Sequence, residues 1–285
     1  MSSTNTVLLL GGTGKVGSRI APLLQAAGVP TLIASRSPKA PTGVKFDWDD
    51  EATWTSALTH SPAIQTVYLV VSTSPNAIEV AHKFIDLARE KGVKRFVLLS
   101  ASCFEEGGPF LGQTHKYLHQ LGDEGKIEWA VLRPTWFQEN FLHDPRVNVL
   151  KKESKMYSAT GAGRIPWVST RDIAAVAFHA LTTPKAPNTD LLILGPELLT
   201  YDDLAKIFTS VLSRPIIYKE LSEADLSAHW VEIGIPPTYA QMLSALETEI
   251  KGGSEDRTSD VVRTLTGNEP RPFKEFLEEN KTAWD

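Results

Sequence analysis

A short apolar run, Val7–Leu10, leads directly into Gly11, Gly14 and Gly17, and this arrangement constrains the fold more than any other feature of the chain. The residues after it, Lys15–Ala27, carry apolar side chains at helical spacing. In a turn between strand and helix, the first glycine makes the sharp bend, the second lets the backbone approach a pyrophosphate, and the third permits close packing of helix on strand. The pattern predicts a dinucleotide-binding unit, and a tight turn without a ligand is the alternative.

Apolar runs and helical patterns alternate along the first half of the chain. Further strands are predicted at Thr31–Ala34, Val44–Phe46, Thr66–Val71, Arg95–Leu99 and Trp129–Leu132. Because these runs are apolar throughout, they are typical of strands covered on both faces. The chain is therefore predicted to be an α/β protein with a doubly wound parallel sheet of the Rossmann type. Residues 1–150 would form the dinucleotide-binding domain, and residues 151–285 a smaller, mostly helical substrate-binding lobe interleaved with it.

Composition excludes several classes of protein. The formal net charge of −5 provides no positive field for nucleic acid. Apolar runs such as Val67–Val71 are far shorter than the roughly 18 residues of a membrane helix, and the polar, uncharged Met1–Asn5 does not resemble a signal peptide. Cys103 is the single cysteine, so an internal disulfide and a cysteine-based metal cage are excluded. We expect a cytoplasmic protein that binds neither nucleic acid nor membranes.

The end of the second predicted strand indicates which dinucleotide is bound. A site for NAD places a carboxylate there to bind the ribose 2′-hydroxyl, but the first acidic residue after this strand is Asp47. Arg36 stands in its place, and its planar guanidinium suits a 2′-phosphate that a carboxylate would repel. NADP(H) is the predicted cofactor. Asp47 itself would either accept a hydrogen bond from the adenine amine or begin a turn.

The usual acid of a carbonyl reductase is missing. Short-chain dehydrogenases protonate the carbonyl oxygen with a tyrosine whose pKa is lowered by a lysine four residues later, but none of the six tyrosines here has a lysine at that spacing. The replacements on the corresponding helix are His115, Lys116 and Tyr117, and a polar helix face beside the cofactor is the alternative. His115 and His119 also have metal-ligand spacing, but no third ligand is evident, so no metal is predicted.

Several motifs carry a resemblance to a known family. They are the glycine loop LLLGGTGKVG, the LLSAS segment that ends at Ser102, the run Leu132–Phe141, the tetrapeptide His115–Leu118 and the C-terminal run Thr266–Trp284. In these the chain resembles the NmrA-like atypical short-chain dehydrogenases, and within them the festuclavine and agroclavine dehydrogenase-like enzymes of fungal indole-alkaloid pathways. The resemblance implies NADPH binding at the switch point of the sheet and hydride delivery to an imine or iminium carbon.

Two sets of binding residues follow from the motifs and the resemblance. The cofactor-binding residues are predicted to be Gly11, Thr13, Gly14, Lys15, Val16, Gly17, Arg36, Asp47, Ser72, Ser100, Ala101, Lys116 and Pro134. The substrate-binding residues are predicted to be Ser102, Trp136, Phe137, Asn140 and Trp167. The resemblance implies that Trp136 and Phe137 line the nicotinamide and substrate pocket, and packing in the core is the alternative for each aromatic residue. Asn140 would orient the substrate or cap the segment after it.

The missing acid agrees with the implied chemistry. An iminium ion already carries positive charge and becomes a neutral amine when it accepts hydride, so it needs positioning more than proton donation. The expected partner is therefore a small molecule, an indole alkaloid. Two alternatives stay open: a redox-assisted cyclisation of such an intermediate, and a non-catalytic regulator that senses NADP. The aromatic residues after the sixth strand favour catalysis.

Overall fold

The computed structural model describes residues 5–39, 41–61, 64–143 and 145–284. The strands are β1 (Thr6–Leu10), β2 (Thr31–Ser35), β3 (Gly43–Lys45), β4 (Ile64–Leu69), β5 (Arg95–Leu99), β6 (Glu128–Pro134), β7 (Lys155–Ser158), β8 (Thr189–Ile193) and β9 (Ile217–Glu220). The helices are α1 (Gly17–Ala26), α2 (Glu51–Thr59), α3 (Ala77–Glu90), α4 (Leu111–Asp123), α5 (Asn140–His143), α6 (Arg146–Glu153), α7 (Thr170–Thr182), α8 (Tyr201–Leu212), α9 (Glu223–Glu232), α10 (Pro237–Lys251), α11 (Val261–Thr266) and α12 (Phe273–Glu279).

The main sheet has seven strands in the order β3-β2-β1-β4-β5-β6-β8. All six neighbouring pairs are parallel. The strand order reverses between β1 and β4, and in such sheets ligands bind outside the carboxyl ends of the strands at this switch point. The predicted doubly wound parallel sheet is confirmed.

Both faces of the sheet are covered, which explains why its strands are apolar throughout. On one face, Leu8, Leu10, Val67 and Leu69 belong to a buried cluster that includes apolar side chains from α2, α3 and α4. Helices α1 and α7 pack against each other, and α7 also contacts β4, β5 and β6. Because neither helix contributes to that cluster, α1 and α7 cover the opposite face.

The contacts divide the chain into two units. The first unit comprises Met1–Pro134, Thr170–Ile193 and Thr264–Gly267, and the second comprises Thr135–Ser169, Leu194–Arg263 and Asn268–Asp285. The chain therefore leaves the first unit where β6 ends and returns to supply α7 and β8. The domain boundary at residue 150 stays a prediction, and it falls inside α6 of the second unit.

The second unit has its own core and a small sheet of its own, in which β7 and β9 pair in parallel. Its core is rich in aromatic side chains, among them the buried Phe141, Trp167, Phe208 and Phe273. The buried amide of Gln138 donates hydrogen bonds to the backbone carbonyls of Trp167 (3.2 Å) and Arg271 (2.9 Å). Within the described residues, no helix has both the length and the apolarity that a bilayer-spanning segment requires.

Candidate functional site

The glycine turn has the geometry that the sequence pattern predicts. Strand β1 ends at Leu10, Gly11 has a positive φ of 63°, and the amide of Gly14 donates to the Gly11 carbonyl at 2.9 Å. A Cβ atom on Gly17 would lie 2.7 Å from the Cα of Gly12 and closer still to the Gly11 carbonyl oxygen. The turn therefore needs glycine for its left-handed backbone at Gly11, and for the close packing of the start of α1 at Gly17.

The same turn fits the pyrophosphate of a dinucleotide. Gly11, Thr13 and Gly14 are exposed, and Val16, the residue before α1, makes no side-chain cap. In the first turn of α1 the amides of Ser18 and Arg19 already donate to the carbonyls of Gly14 and Val16, so it is the glycine turn before them, at the positive end of the helix dipole, that favours an anion. A Cβ atom on Gly14 would meet only the Gly11 carbonyl oxygen, at 3.1 Å, a tight contact that a shift of a few tenths of an ångström would relieve, so the fold places less demand on glycine there than at Gly17. A closely approaching ligand is a physical reason for it.

Arg36 and Asp47 follow β2 and β3. Arg36 is exposed one residue beyond the end of β2, and it forms no ion pair with a described residue. Its guanidinium is therefore available to a phosphate. The half-buried Asp47 has the geometry of a turn residue: its Oδ1 accepts from the amide of Asp49 at 3.2 Å, and its carbonyl accepts from the indole of Trp54 at 2.8 Å. A contact of Asp47 with adenine stays a prediction.

Residues beyond β4 and β5 border the switch point. The side chain of Val70 lies 3.2 Å from the position of a Cβ on Gly11, so the end of β4 adjoins the glycine turn. The hydroxyls of Ser72 and Ser74 are hydrogen-bonded at 2.9 Å. The buried hydroxyl of Ser100 has no hydrogen-bond partner among the described residues, which leaves a polar atom for a ligand to satisfy.

The segment after β5 continues alongside β6. The amide of Ser102 donates to the Pro134 carbonyl at 2.8 Å, and the amide of Ser100 donates to the Leu132 carbonyl, also at 2.8 Å. Ala101 is half-buried between them. The structure therefore brings the predicted residues Ser100, Ala101, Ser102 and Pro134 together at one edge of the sheet.

The three catalytic candidates on α4 point in different directions. The hydroxyl of Tyr117 donates to Asp86 of α3 at 2.6 Å, and burial together with this contact raises the pKa of Tyr117 to about 12. His115 is buried with its ring centroid 5.7 Å from that of Trp129, and burial lowers its pKa. Lys116 is exposed. Consecutive helical residues are about 100° apart, so these side chains do not converge on one point. Their catalytic roles stay predictions.

His119 lies one turn after His115 and pairs with a carboxylate. Its Nδ1 is 2.8 Å from Oε1 of Glu106, and this hydrogen bond raises the pKa of His119. The described residues contain no group of three or more histidine, cysteine, aspartate or glutamate side chains arranged to hold a metal ion. Cys103 is exposed in the loop that precedes α4.

Arg133 is a buried residue of the site region to which no sequence motif assigns a role. Its guanidinium donates to Asp190 of β8 at 2.7 Å, to the Ser102 carbonyl at 2.9 Å and to Glu105. It thereby ties the end of β6 to the loop after β5. An arginine inside an otherwise apolar strand was a signal for such a network, but its partners are not adjacent in sequence.

The remaining substrate-binding candidates belong to the second unit. Trp167 is fully buried, with the rings of Phe141 and Tyr201 at 5.2 and 5.9 Å, which is the environment of a core residue. Trp136 meets Trp167 edge-on at 6.2 Å and is half-buried, as is Phe137. Asn140 is the first residue of α5. Trp136 and Phe137 therefore keep accessible ring surface, whereas Trp167 does not; substrate contact stays a prediction for all of them.

Comparisons with known proteins agree with this geometry. A family of NAD(P)H-binding domains matches residues 11–184. The chain is 45% identical to festuclavine dehydrogenase of Aspergillus fumigatus, over 98% of this chain and 99% of that protein. It is 42% identical to agroclavine dehydrogenase of Claviceps fusiformis, over 98% of each chain. The crystal structure of an NADPH-dependent quinone oxidoreductase from Escherichia coli, complexed with NADPH, superposes with a TM-score of 0.82 at 22% identity, covering 97% of this chain and 99% of that one.

The family match covers the whole glycine turn, the switch point and α4, and the two fungal relatives extend the similarity over nearly the full chain. The prediction of a dinucleotide-binding domain is thereby confirmed, and so is the predicted family. The chain is an NAD(P)H-binding oxidoreductase that belongs to the family of the festuclavine and agroclavine dehydrogenases.

Proposed function

We propose that this protein is an NADPH-dependent reductase that delivers hydride to an imine or iminium carbon of an indole-alkaloid intermediate in fungal secondary metabolism. Two relatives with more than 40% identity are named festuclavine and agroclavine dehydrogenases, which supports an alkaloid substrate. The observation that carries the proposal is the state of α4: the helix that supplies the acid of a carbonyl reductase holds no tyrosine poised to give up a proton.

The glycine turn and Arg36 would hold the cofactor. The glycine turn at the start of α1 would bind the pyrophosphate, and the exposed guanidinium of Arg36 would bind the 2′-phosphate. The buried hydroxyl of Ser100 lies past the end of β5 and lacks a partner among the described residues, so it is free to bind the nicotinamide end of the cofactor. When bound, NADPH supplies a hydride from C4 of the nicotinamide ring.

The charge balance of the reaction explains why no acid is needed. When an iminium carbon accepts hydride, the electron pair of the C=N π bond moves to nitrogen and the cation becomes a neutral amine. A carbonyl carbon that accepts hydride leaves an alkoxide instead, which an enzyme must protonate or stabilise. The chain's own contribution to iminium reduction is therefore to position the acceptor and to exclude water.

The side chains of α4 are suited to that limited role. Tyr117 keeps its proton because burial and the hydrogen bond to Asp86 raise its pKa to about 12. Burial lowers the pKa of His115 below its ordinary value, which favours the neutral ring. In the second unit, the half-buried Trp136 and Phe137 offer aromatic surface, and an aromatic ring stabilises a cation by roughly 0.5–2 kcal/mol.

Hydride transfer from C4-deuterated NADPH tests this proposal. We expect the purified protein to place deuterium on the former iminium carbon of an N-methyl-dihydro-β-carbolinium ion, and to reduce cyclohexanone far more slowly. The Tyr117→Phe variant should retain turnover with the iminium ion. Equal rates with the ketone and the iminium ion would refute the argument. So would a Tyr117→Phe variant that loses turnover while its NADPH affinity is unchanged.

Product analysis in the same assay separates the alternatives. A deuterated product with a new ring indicates redox-assisted cyclisation. NADPH binding without consumption by any imine indicates a sensor rather than an enzyme.

A further inference from the structure

Phe110 breaks three local rules at once. The residue is 59% exposed although its side chain is large and apolar, and its backbone has φ +50° and ψ −124°, a region that favours glycine. It also occupies the N-cap position of α4, where Ser, Thr, Asp or Asn would satisfy the free amides, and it makes no side-chain cap. Residues that are locally unfavourable and are not compensated by buried contacts typically mark functional sites.

The loop that carries Phe110 is held firmly on both sides. Glu105 pairs with the buried Arg133, and Glu106 accepts from His119 at 2.8 Å. The side-chain amide of Gln113 donates through Nε2 to the carbonyls of Gly107 and Gly108, at 2.5 and 2.8 Å. The strained backbone at Phe110 is therefore imposed by its surroundings, and the exposed ring is presented in a defined place.

A second aromatic residue supports the first. The ring of Phe104 lies 5.8 Å from that of Phe110 at an angle of 49°, and its side chain is half-buried. We call these two residues the aromatic pair. The amide of Phe104 donates to the carbonyl of Ala101 at 3.1 Å, so the pair begins one turn past the residues predicted to bind cofactor and substrate. In doubly wound folds, the loops that follow the strand ends form the ligand site.

The surface area of the aromatic pair indicates what kind of molecule it contacts. A stable protein interface buries about 800 Å² on each partner, whereas one phenylalanine side chain offers at most about 150–250 Å². The aromatic surface of the pair is far smaller than such an interface, and its size is that of one face of a fused ring system. Aromatic rings bind flat aromatic ligands by stacking or edge contact, and they also attract a neighbouring cation.

We propose that Phe110, supported by Phe104, is a specificity-determining residue that contacts the aromatic rings of the hydride acceptor. This inference rests on the proposed function, since it names the part of the substrate that the loop recognises. It predicts discrimination between imines that carry a fused aromatic ring and imines that do not.

The test compares Phe110→Gly and Phe110→Leu with two control variants. Leu23→Ala removes another exposed apolar side chain, and Ser213→Gly relieves the strain at another positive φ without removing a ring. The acceptors are the protonated, iminium forms of 3,4-dihydro-β-carboline, which has a fused indole, and of 1-pyrroline, which has no aromatic ring. Binding of 1,2,3,4-tetrahydro-β-carboline to the NADP⁺ complex is measured by calorimetry.

For both Phe110 variants we expect kcat/KM for the dihydro-β-carboline to fall about tenfold and the Kd of the tetrahydro-β-carboline to rise about tenfold, equivalent to about 1.4 kcal/mol. Values for 1-pyrroline and for NADPH should not change. Phe110→Gly should melt at the same temperature as wild type or higher, because glycine removes the backbone strain. Leu23→Ala and Ser213→Gly should behave as wild type with both acceptors.

Three results would overturn the inference. They are unchanged carboline binding in both Phe110 variants, equal losses of kcat/KM with both acceptors, and a wild-type dimer that dissociates in the variants, which would place Phe110 at a contact between two chains. Failure of the proposed function has a different signature. Suppose that the wild type transfers no deuteride to either imine, whereas Phe110→Gly and Phe110→Leu bind the carboline more weakly than the wild type does. The ring contact is then supported, and the proposed reaction is not.

Discussion

Alanine substitutions at Gly17 and Gly14 should separate the two roles of the glycine turn. A Cβ atom at Gly17 would lie 2.7 Å from the Cα of Gly12. Gly12 itself has no room to move aside, because a Cβ atom built on it would already lie 2.8 Å from the side chain of Ile33. The first contact is with backbone, so it can be relieved only if α1 moves away from β1. Overpacking of this kind costs about 1–3 kcal/mol, and we expect Gly17→Ala to lose about 3 kcal/mol of unfolding free energy.

Gly14→Ala is the matched variant for binding. Its Cβ would meet only the Gly11 carbonyl oxygen, at 3.1 Å, and the position is exposed. The folded protein should therefore lose less than about 1 kcal/mol, near the cost of a typical point substitution. The added methyl group would stand where the pyrophosphate approaches the backbone, so we expect NADPH affinity to fall at least tenfold, or about 1.4 kcal/mol.

Urea unfolding without cofactor and fluorescence titration with NADPH measure the two effects independently. A loss of about 3 kcal/mol at Gly17 corresponds to a fall of roughly 6–12 °C in Tm for a chain of this size. The reasoning is refuted if Gly17→Ala unfolds at the same urea concentration as wild type. It is equally refuted if Gly14→Ala binds NADPH normally.

Three further predictions concern charged groups. Arg36→Asp should weaken NADPH binding far more than NADH binding, because only NADPH carries the 2′-phosphate, and parallel titrations with the two cofactors would expose equal losses. The pKa of His119 is raised by Glu106, so this contact contributes stability fully below the unfolded pKa of about 6.5, and the contribution disappears as pH rises through the higher folded pKa. The difference in unfolding free energy between wild type and His119→Gln should follow that course, and a difference that grows with pH would contradict it. Arg133→Met removes the donor to Glu105, Asp190 and the Ser102 carbonyl, but both carboxylates reach solvent, so we expect a loss of only about 1–2 kcal/mol in urea unfolding; no change at all would indicate that the network is not formed in solution.

Local sequence was sufficient for the elements whose signals are local. The strand predicted at Arg95–Leu99 has the predicted bounds, and Gly11 lies in the predicted sharp turn, where its φ is positive. Helix α2 was not predicted, because its inward face includes Thr53 beside Trp54 and does not show a clear apolar stripe. The pairing of β7 with β9 was also missed, since these strands are short and about 60 residues apart.

For the candidate site as well, features with local sequence signals could be predicted and contacts between distant residues could not. Sequence by itself determined the doubly wound sheet, the glycine turn, the basic residue after β2 and the absence of a Tyr–Lys acid, because each depends on spacing within a few residues or on residue type alone. Only the tertiary structure decided where the side chains of α4 point, that Tyr117 donates to Asp86, that Arg133 joins Glu105 to Asp190, and that Phe110 is exposed in a strained backbone. Those contacts join residues that are brought together only when helices pack on the sheet, and no periodicity in the chain encodes which face of a helix meets which partner.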